Sequence, residues 1–145
     1  MKLIIGSDHA GYKLKEELKK YLEALGHTVE DYGTNSEQSV DYPKFGYAVA
    51  SAAAKSKSKG ILICGSGIGM SMIANKVKGI RAAVCHNKYT ARVAREHNDA
   101  NILCLGARIL KNEEAKKITK VFLETGFSKE KRHRKRVNEI RKLES

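Results

Sequence analysis

The chain predicts an α/β fold: a Rossmann-like three-layer α/β/α arrangement on a five-stranded parallel sheet, with a helical arm at the C-terminus. Three observations carry this. Short β-prone runs alternate with helical patterns through most of the chain. One run, Gly60-Ile61-Leu62-Ile63-Cys64, is continuously apolar, as strands covered on both faces are. The length, 145 residues, supports one full hydrophobic core and not two comfortable domains.

Taken in order, Leu3-Ile4-Ile5 forms the first strand. A helix follows with Leu14, Leu18, Tyr21, Leu22 and Leu25 on one face, stopped by Gly26. Thr28–Asp31 is a weaker strand, and after a polar loop Pro43 opens a helix that buries Phe45, Ala48, Val49 and Ala52. The apolar strand 60–64 leads through a glycine-rich turn into a helix from about Met70 to Val77. Arg81–Cys85 and Asn101–Leu105 repeat the pattern, each with a helix after it. Residues 1–127 thus make the α/β body, and 128–145 a basic arm of the same domain.

Composition narrows the function classes. The chain is 41% apolar and 30% charged, which suits a globular protein and not a disordered one. No run approaches the roughly 20 apolar residues of a membrane span, and Met1-Lys2 runs straight into a strand where a signal peptide would have an apolar stretch, so neither membrane nor export is expected. Cys64, Cys85 and Cys104 are odd in number and widely spaced, arguing against a disulfide framework or a paired-cysteine metal site and for a reducing cytoplasm. The formal charge is +12, of which the last eighteen residues contribute +5. The arm has no interleaved aromatics, but Val137 and Ile140 continue at helical spacing, so part of it packs. Arg132 and Arg136, four apart, project from one helix face as a clamp for one phosphate, while Arg134 and Lys135 point elsewhere. Such arithmetic implies an acidic partner without choosing between a polymer and a small phosphorylated ligand.

Parallel sheets bind ligands beyond the carboxyl ends of their strands, near a topological switch point. Ser7-Asp8-His9, Cys64-Gly65-Ser66-Gly67-Ile68-Gly69 and Gly106-Ala107-Arg108 all fall at such ends. The alternating glycines suit a turn whose N–H groups converge on an anion, or simply a tight strand-to-helix packing. Their GxGxG spacing is neither the dinucleotide fingerprint nor a Walker loop. Cys64 is either a nucleophile or base steadied by helix-terminal N–H groups, or a buried structural thiol, the reading that suits Cys85 and Cys104 better. Asp8 and His9 either cap the first helix or hold sugar hydroxyls and phosphate. His97, in a segment His97-Asn98-Asp99 between a helix and the fifth strand, is an acid/base candidate. His27 and His86 read as surface or structural.

Taken together, Gly6–Gly11, Asp31-Tyr32-Gly33-Thr34, Asp41-Tyr42-Pro43, Ile63–Ser71, Ala74-Asn75-Lys76, Gly79–Ala82, Glu96–Asn101 and Arg132-His133 resemble, in order and across residues 2–143, the type B ribose-5-phosphate isomerases. That wider family includes galactose-6-phosphate and allose-6-phosphate isomerases. The resemblance implies a cofactor-free, metal-free aldose–ketose isomerase acting on a small sugar phosphate, with no nucleic-acid or membrane partner. By the same analogy His97 opens the furanose ring, Asp8 contacts sugar oxygens, and Cys64 moves a proton between C1 and C2. The N–H groups from Gly65 through Gly67, Ile68 and Gly69, with the Ser66 hydroxyl, face the developing enediolate. His9, Arg108, Arg132 and Arg136 take the phosphate, and Tyr42 and Asn98 the sugar. Family members are dimers or dimers of dimers with shared sites, which implies that the arm docks on a partner subunit. Two departures stand out: Ser66 replaces a common Thr, and Glu130-Lys131 replaces a glycine pair before Arg132.

Overall fold

A computed structural model describes residues 1–144; the arm's last residue, Ser145, lies outside the described residues. The strands are β1 (Lys2–Ser7), β2 (Thr28–Asp31), β3 (Lys59–Cys64), β4 (Ala82–Val84) and β5 (Ile102–Gly106). The helices are α1 (Tyr12–Ala24), α2 (Tyr42–Ser56), α3 (Ile68–Ala74), α4 (Lys88–Asn98), α5 (Asn112–Glu124) and α6 (Lys131–Lys142). All strand pairs are parallel, in the order β2-β1-β3-β5-β4. The chain leaves β1 for β2 on one side and later enters β3 on the other, so the crevice between the carboxyl ends of β1 and β3 is a switch point.

Strand residues alternate between two cores, as a period of two requires. Leu3 and Ile5 face α1, α4 and α5 with Leu14, Leu18, Leu103 and Phe122, while Ile4 faces α2 and α3 with Val49, Leu62, Met70 and Cys104. Helices on both faces complete the three layers. The arm's helix α6 folds back on α4 through His133 and Val137, both buried.

Several boundaries differ from the pattern-based expectation. Leu25 lies past the end of α1 and is exposed. The buried stripe of α2 is Gly46, Val49, Ala50 and Ala53, displaced from the expected Ala48 and Ala52, which are only half-buried. Gly46 is the reason: α3 crosses so close that a Cβ there would collide with Ile73. Helix α3 begins two residues earlier than expected because Gly67 turns the chain directly into it. It ends early because the Asn75 side chain bonds both the N–H and the C=O of Ala82, drawing the chain into β4.

Candidate active site

Three strand ends form one cleft. At β3 the chain leaves Cys64 through Gly67, whose φ of 83° lies in the left-handed region where a side chain is strained. That turn points the Gly67 N–H at Cys64, which accepts it on Sγ at 3.1 Å. Gly65 leaves room for Arg108, whose Nη1 would lie 3.1 Å from a Cβ at that position. Tyr42, the first residue of α2, rests on Gly69, where a Cβ would come within 2.6 Å of its ring. Absent side chains are what let an arginine and a tyrosine close over the turn.

At β1 the carboxylate of Asp8, almost wholly buried, accepts the Gly11 N–H on Oδ1 at 3.1 Å, which leaves Oδ2 for a ligand. The segment is held from behind. Asp31 accepts the Gly33 N–H at 2.8 Å, the Gly33 carbonyl takes the Ser7 N–H at 2.6 Å, and the Thr34 N–H returns to the Ser7 carbonyl at 2.8 Å. Asp31 is itself fixed by Lys15 at 2.5 Å and Lys19 at 2.8 Å. Burial raises the Asp31 carboxyl, but the two lysines and the Gly33 N–H outweigh it and hold it below the ordinary carboxylate value. His9 receives the Val40 N–H on Nδ1 at 3.1 Å, which puts the proton of the neutral ring on Nε2.

Asp8, Tyr42, Cys64, Gly65, Ser66, Ile68, Gly69 and Arg108 line one open cleft of about 590 Å³, together with Met72 and Ile109, which sequence reasoning did not single out. Two donors expected to face a ligand are otherwise engaged. The Gly67 N–H is spent on Cys64, and the Ile68 N–H on the Ser66 hydroxyl at 3.2 Å. The N–H groups of Gly65, Ser66 and Gly69 make no backbone hydrogen bond among the described residues.

Four expected residues lie elsewhere. His97 and Asn98 occupy the last turn of α4 and are not in a loop, so they stand at the amino end of the sheet. Cys64 pairs with Gly106 at one end of β5, and Gly60 with Ile102 at the other. Those four steps alone separate the two edges by about 13 Å. His97 stacks on His133 with ring centroids 4.3 Å apart. His133, held to the Ser128 hydroxyl at 2.7 Å, is pushed below the usual imidazole value by burial and then by His97 and Arg132, with Glu130 opposing. Sequence reading quoted it within the Arg132-His133 motif but gave it no role, although its four-residue spacing from Val137 marks it as part of the packed face of α6. Arg132 and Arg136 are exposed on α6, and Glu130 holds Arg132 Nε at 3.1 Å. Among the described residues no cluster of three His, Cys, Asp or Glu is placed to hold a metal ion, and no helix is long and apolar enough to cross a membrane.

Comparison with known proteins fits this geometry. Ribose-5-phosphate isomerase B of Escherichia coli is 42% identical over 144 residues, 99% of this chain and 96% of that protein. Ribose-5-phosphate isomerase B of Clostridium thermocellum superposes with a TM-score of 0.97 at 50% identity, covering 99% of this chain and 97% of the other. The Mycoplasma genitalium enzyme of the same name, solved with bound ribulose-5-phosphate, gives 0.94 at 40% identity, covering 99% and 95%. The profile described as ribose/galactose isomerase matches residues 3–140, and by that match and those identities the chain belongs to the ribose/galactose isomerase family.

Proposed function

We propose that the chain interconverts ribose 5-phosphate and ribulose 5-phosphate, the non-oxidative pentose phosphate step, in a reducing cytoplasm. The observation that carries this reading is Cys64: a thiol on the wall of a cleft, its sulfur already accepting the Gly67 N–H at 3.1 Å. Aldose–ketose isomerisation needs one base that takes the proton from C2 and returns it to C1, and a site that tolerates the enediolate formed between. Cys64 is that base. The N–H groups of Gly65, Ser66 and Gly69 stabilise the enediolate oxygen as charge develops. His97 opens the ring, Asp8 holds its oxygens, Tyr42 and Asn98 orient hydroxyls, and His9, Arg108, Arg132 and Arg136 bind the phosphate.

The opposite placement of Cys64 and His97 supports a site shared between subunits. A homodimer, alone or paired into a tetramer, brings the amino edge and arm of one subunit to the carboxyl edge of the other. Neither edge needs to move within its own fold. The exposed Ile68, Met72 and Ile109 around the cleft supply the apolar surface for that contact.

The test is an isomerase assay on ribose 5-phosphate with chelated, dialysed protein, beside Cys64→Ala. Activity without added metal or nucleotide is expected, with kcat falling by about 10²–10⁴ in the variant while sugar phosphate still binds. Full activity in Cys64→Ala removes the thiol from its role. A higher kcat/KM for a six-carbon sugar phosphate, such as allose or galactose 6-phosphate, transfers the assignment to that substrate class.

A further inference from the structure

The amino end of the sheet carries a concentration of positive charge that the isomerase chemistry leaves unused. A cavity of about 610 Å³ opens there between the C-terminal end of α2, residues 78–81 and the end of α6. Lys57, Lys59, Lys78, Arg81, Arg95 and Arg141 border it, against only Asp99 and Glu144. The two acids are already committed. Asp99 gives Oδ1 to Arg95 at 3.0 Å and Oδ2 to Arg81 at 3.3 Å, and Glu144 accepts the Gly79 N–H at 3.1 Å. Lys59, half-buried in the cavity wall, forms no ion pair among the described residues.

Two of the cations are also held in place. Arg81 donates to the carbonyls of Asn98 and Asp99, and Arg95 to those of Ala100 and Thr125, so neither guanidinium can swing away. Burial, and then the charge of Arg95, depresses the Lys59 ammonium below its ordinary value, with Asp99 opposing. Arg81 is depressed by burial, partly restored by Asp99, and depressed again by Arg141. Like charges thus confront one another across a recess, Arg81 and Arg95 fixed by backbone contacts, with both bordering acids already engaged. An anion entering the recess meets donors whose ordering cost is already met by the fold.

We infer that this cavity is a second anion site, distinct from the substrate cleft, which takes a compact polyanion of the diphosphate or triphosphate class at Lys59, Arg81, Arg95 and Arg141. The class follows from charge and size. Six cations against two acids leave an excess that one phosphate dianion only half neutralises, and the volume falls in the range of small-ligand sites. The four residues are assigned no part in isomerisation, and triphosphate binding is read out without the isomerase assay that tests that reading.

Isothermal titration of the full chain with inorganic triphosphate, at about 50 mM salt where phosphate contacts are strong, tests it. One triphosphate per chain is expected, with Kd below about 100 μM, and the same Kd when ribose 5-phosphate saturates the substrate cleft. The double variant Lys59→Gln/Arg141→Gln should weaken binding at least about tenfold. Melting curves keep the comparison interpretable: triphosphate should raise the wild-type Tm and leave that of the variant unmoved. No saturable heat up to about 1 mM triphosphate, displacement by ribose 5-phosphate, or equal affinity in the double variant each overturns the site.

Discussion

Among single residues, the three thiols separate sharply. Cys104 is fully buried in the core, where burial and then the neighbouring cysteines push its thiol far up, and burial pushes Cys85 up to about 11, the Thr90 hydroxyl opposing. A thiol of that kind is only about one part in a thousand thiolate at pH 8, so it alkylates slowly. Iodoacetamide at pH 8 should therefore modify Cys64 alone, and activity should disappear in step with that single adduct by mass spectrometry; labelling of Cys85 or Cys104 first contradicts the account. Glu130 makes a second residue-level claim. Its carboxylate holds Arg132 at 3.1 Å, so it competes with any phosphate that Arg132 is to bind. The pair is exposed, and Glu130→Gln is expected to lower KM for ribose 5-phosphate about two- to fivefold with kcat unchanged. An unchanged or higher KM removes Arg132 from the phosphate group. These residues could be nominated from the sequence because the chemistry needs their types. Their neighbours could not, since the Gly67–Cys64 and Glu130–Arg132 contacts depend on turn geometry that no spacing encodes.

Elements were readable where hydrophobic period and turn chemistry agree. Five strands, their order along the chain and the helices between them follow from alternating apolar runs. The strand order across the sheet does not, because nothing in β4 announces that β5 will insert between it and β3. The displaced stripe of α2 shows a related blind spot: a buried glycine carries no hydrophobic signal, yet Gly46 sits at the centre of the contact with α3. The join between α1 and β2 yields a stability prediction. Lys15 is wholly buried, and its ammonium meets Asp31 at 2.5 Å. Asp31→Asn leaves that charge without its carboxylate and should cost about 3–5 kcal/mol in urea denaturation, whereas Lys19→Met, which removes a partly exposed partner, should cost under about 1 kcal/mol. Equal losses would mean that the buried pair is not the anchor. Because the folded Asp31 carboxyl lies below its unfolded value, its stabilisation is complete above about pH 4 and is lost as pH falls through the folded value.

At the level of the whole molecule, the parallel sheet sorts the chemistry by edge. The carboxyl edge holds the thiol, the turn and Arg108, while the amino edge holds the His97–His133 stack, with the arm's arginines on the adjoining helix. Sequence order conceals this division, since Cys64 and His97 are separated by one strand and two helices, a distance that would also fit a single compact site. Only the direction of α4, which runs back against the strands, carries His97 away from the cleft. The central claim is therefore that catalysis needs two copies of the chain, each lending the other one edge. Co-expression of Cys64→Ala with His97→Asn chains tests it most directly. Random pairing makes half the dimers mixed, each with one intact site and one doubly defective site, so about one quarter of wild-type activity should return although either variant alone is nearly inactive. Activity no greater than the sum of the two parents would contradict a shared site.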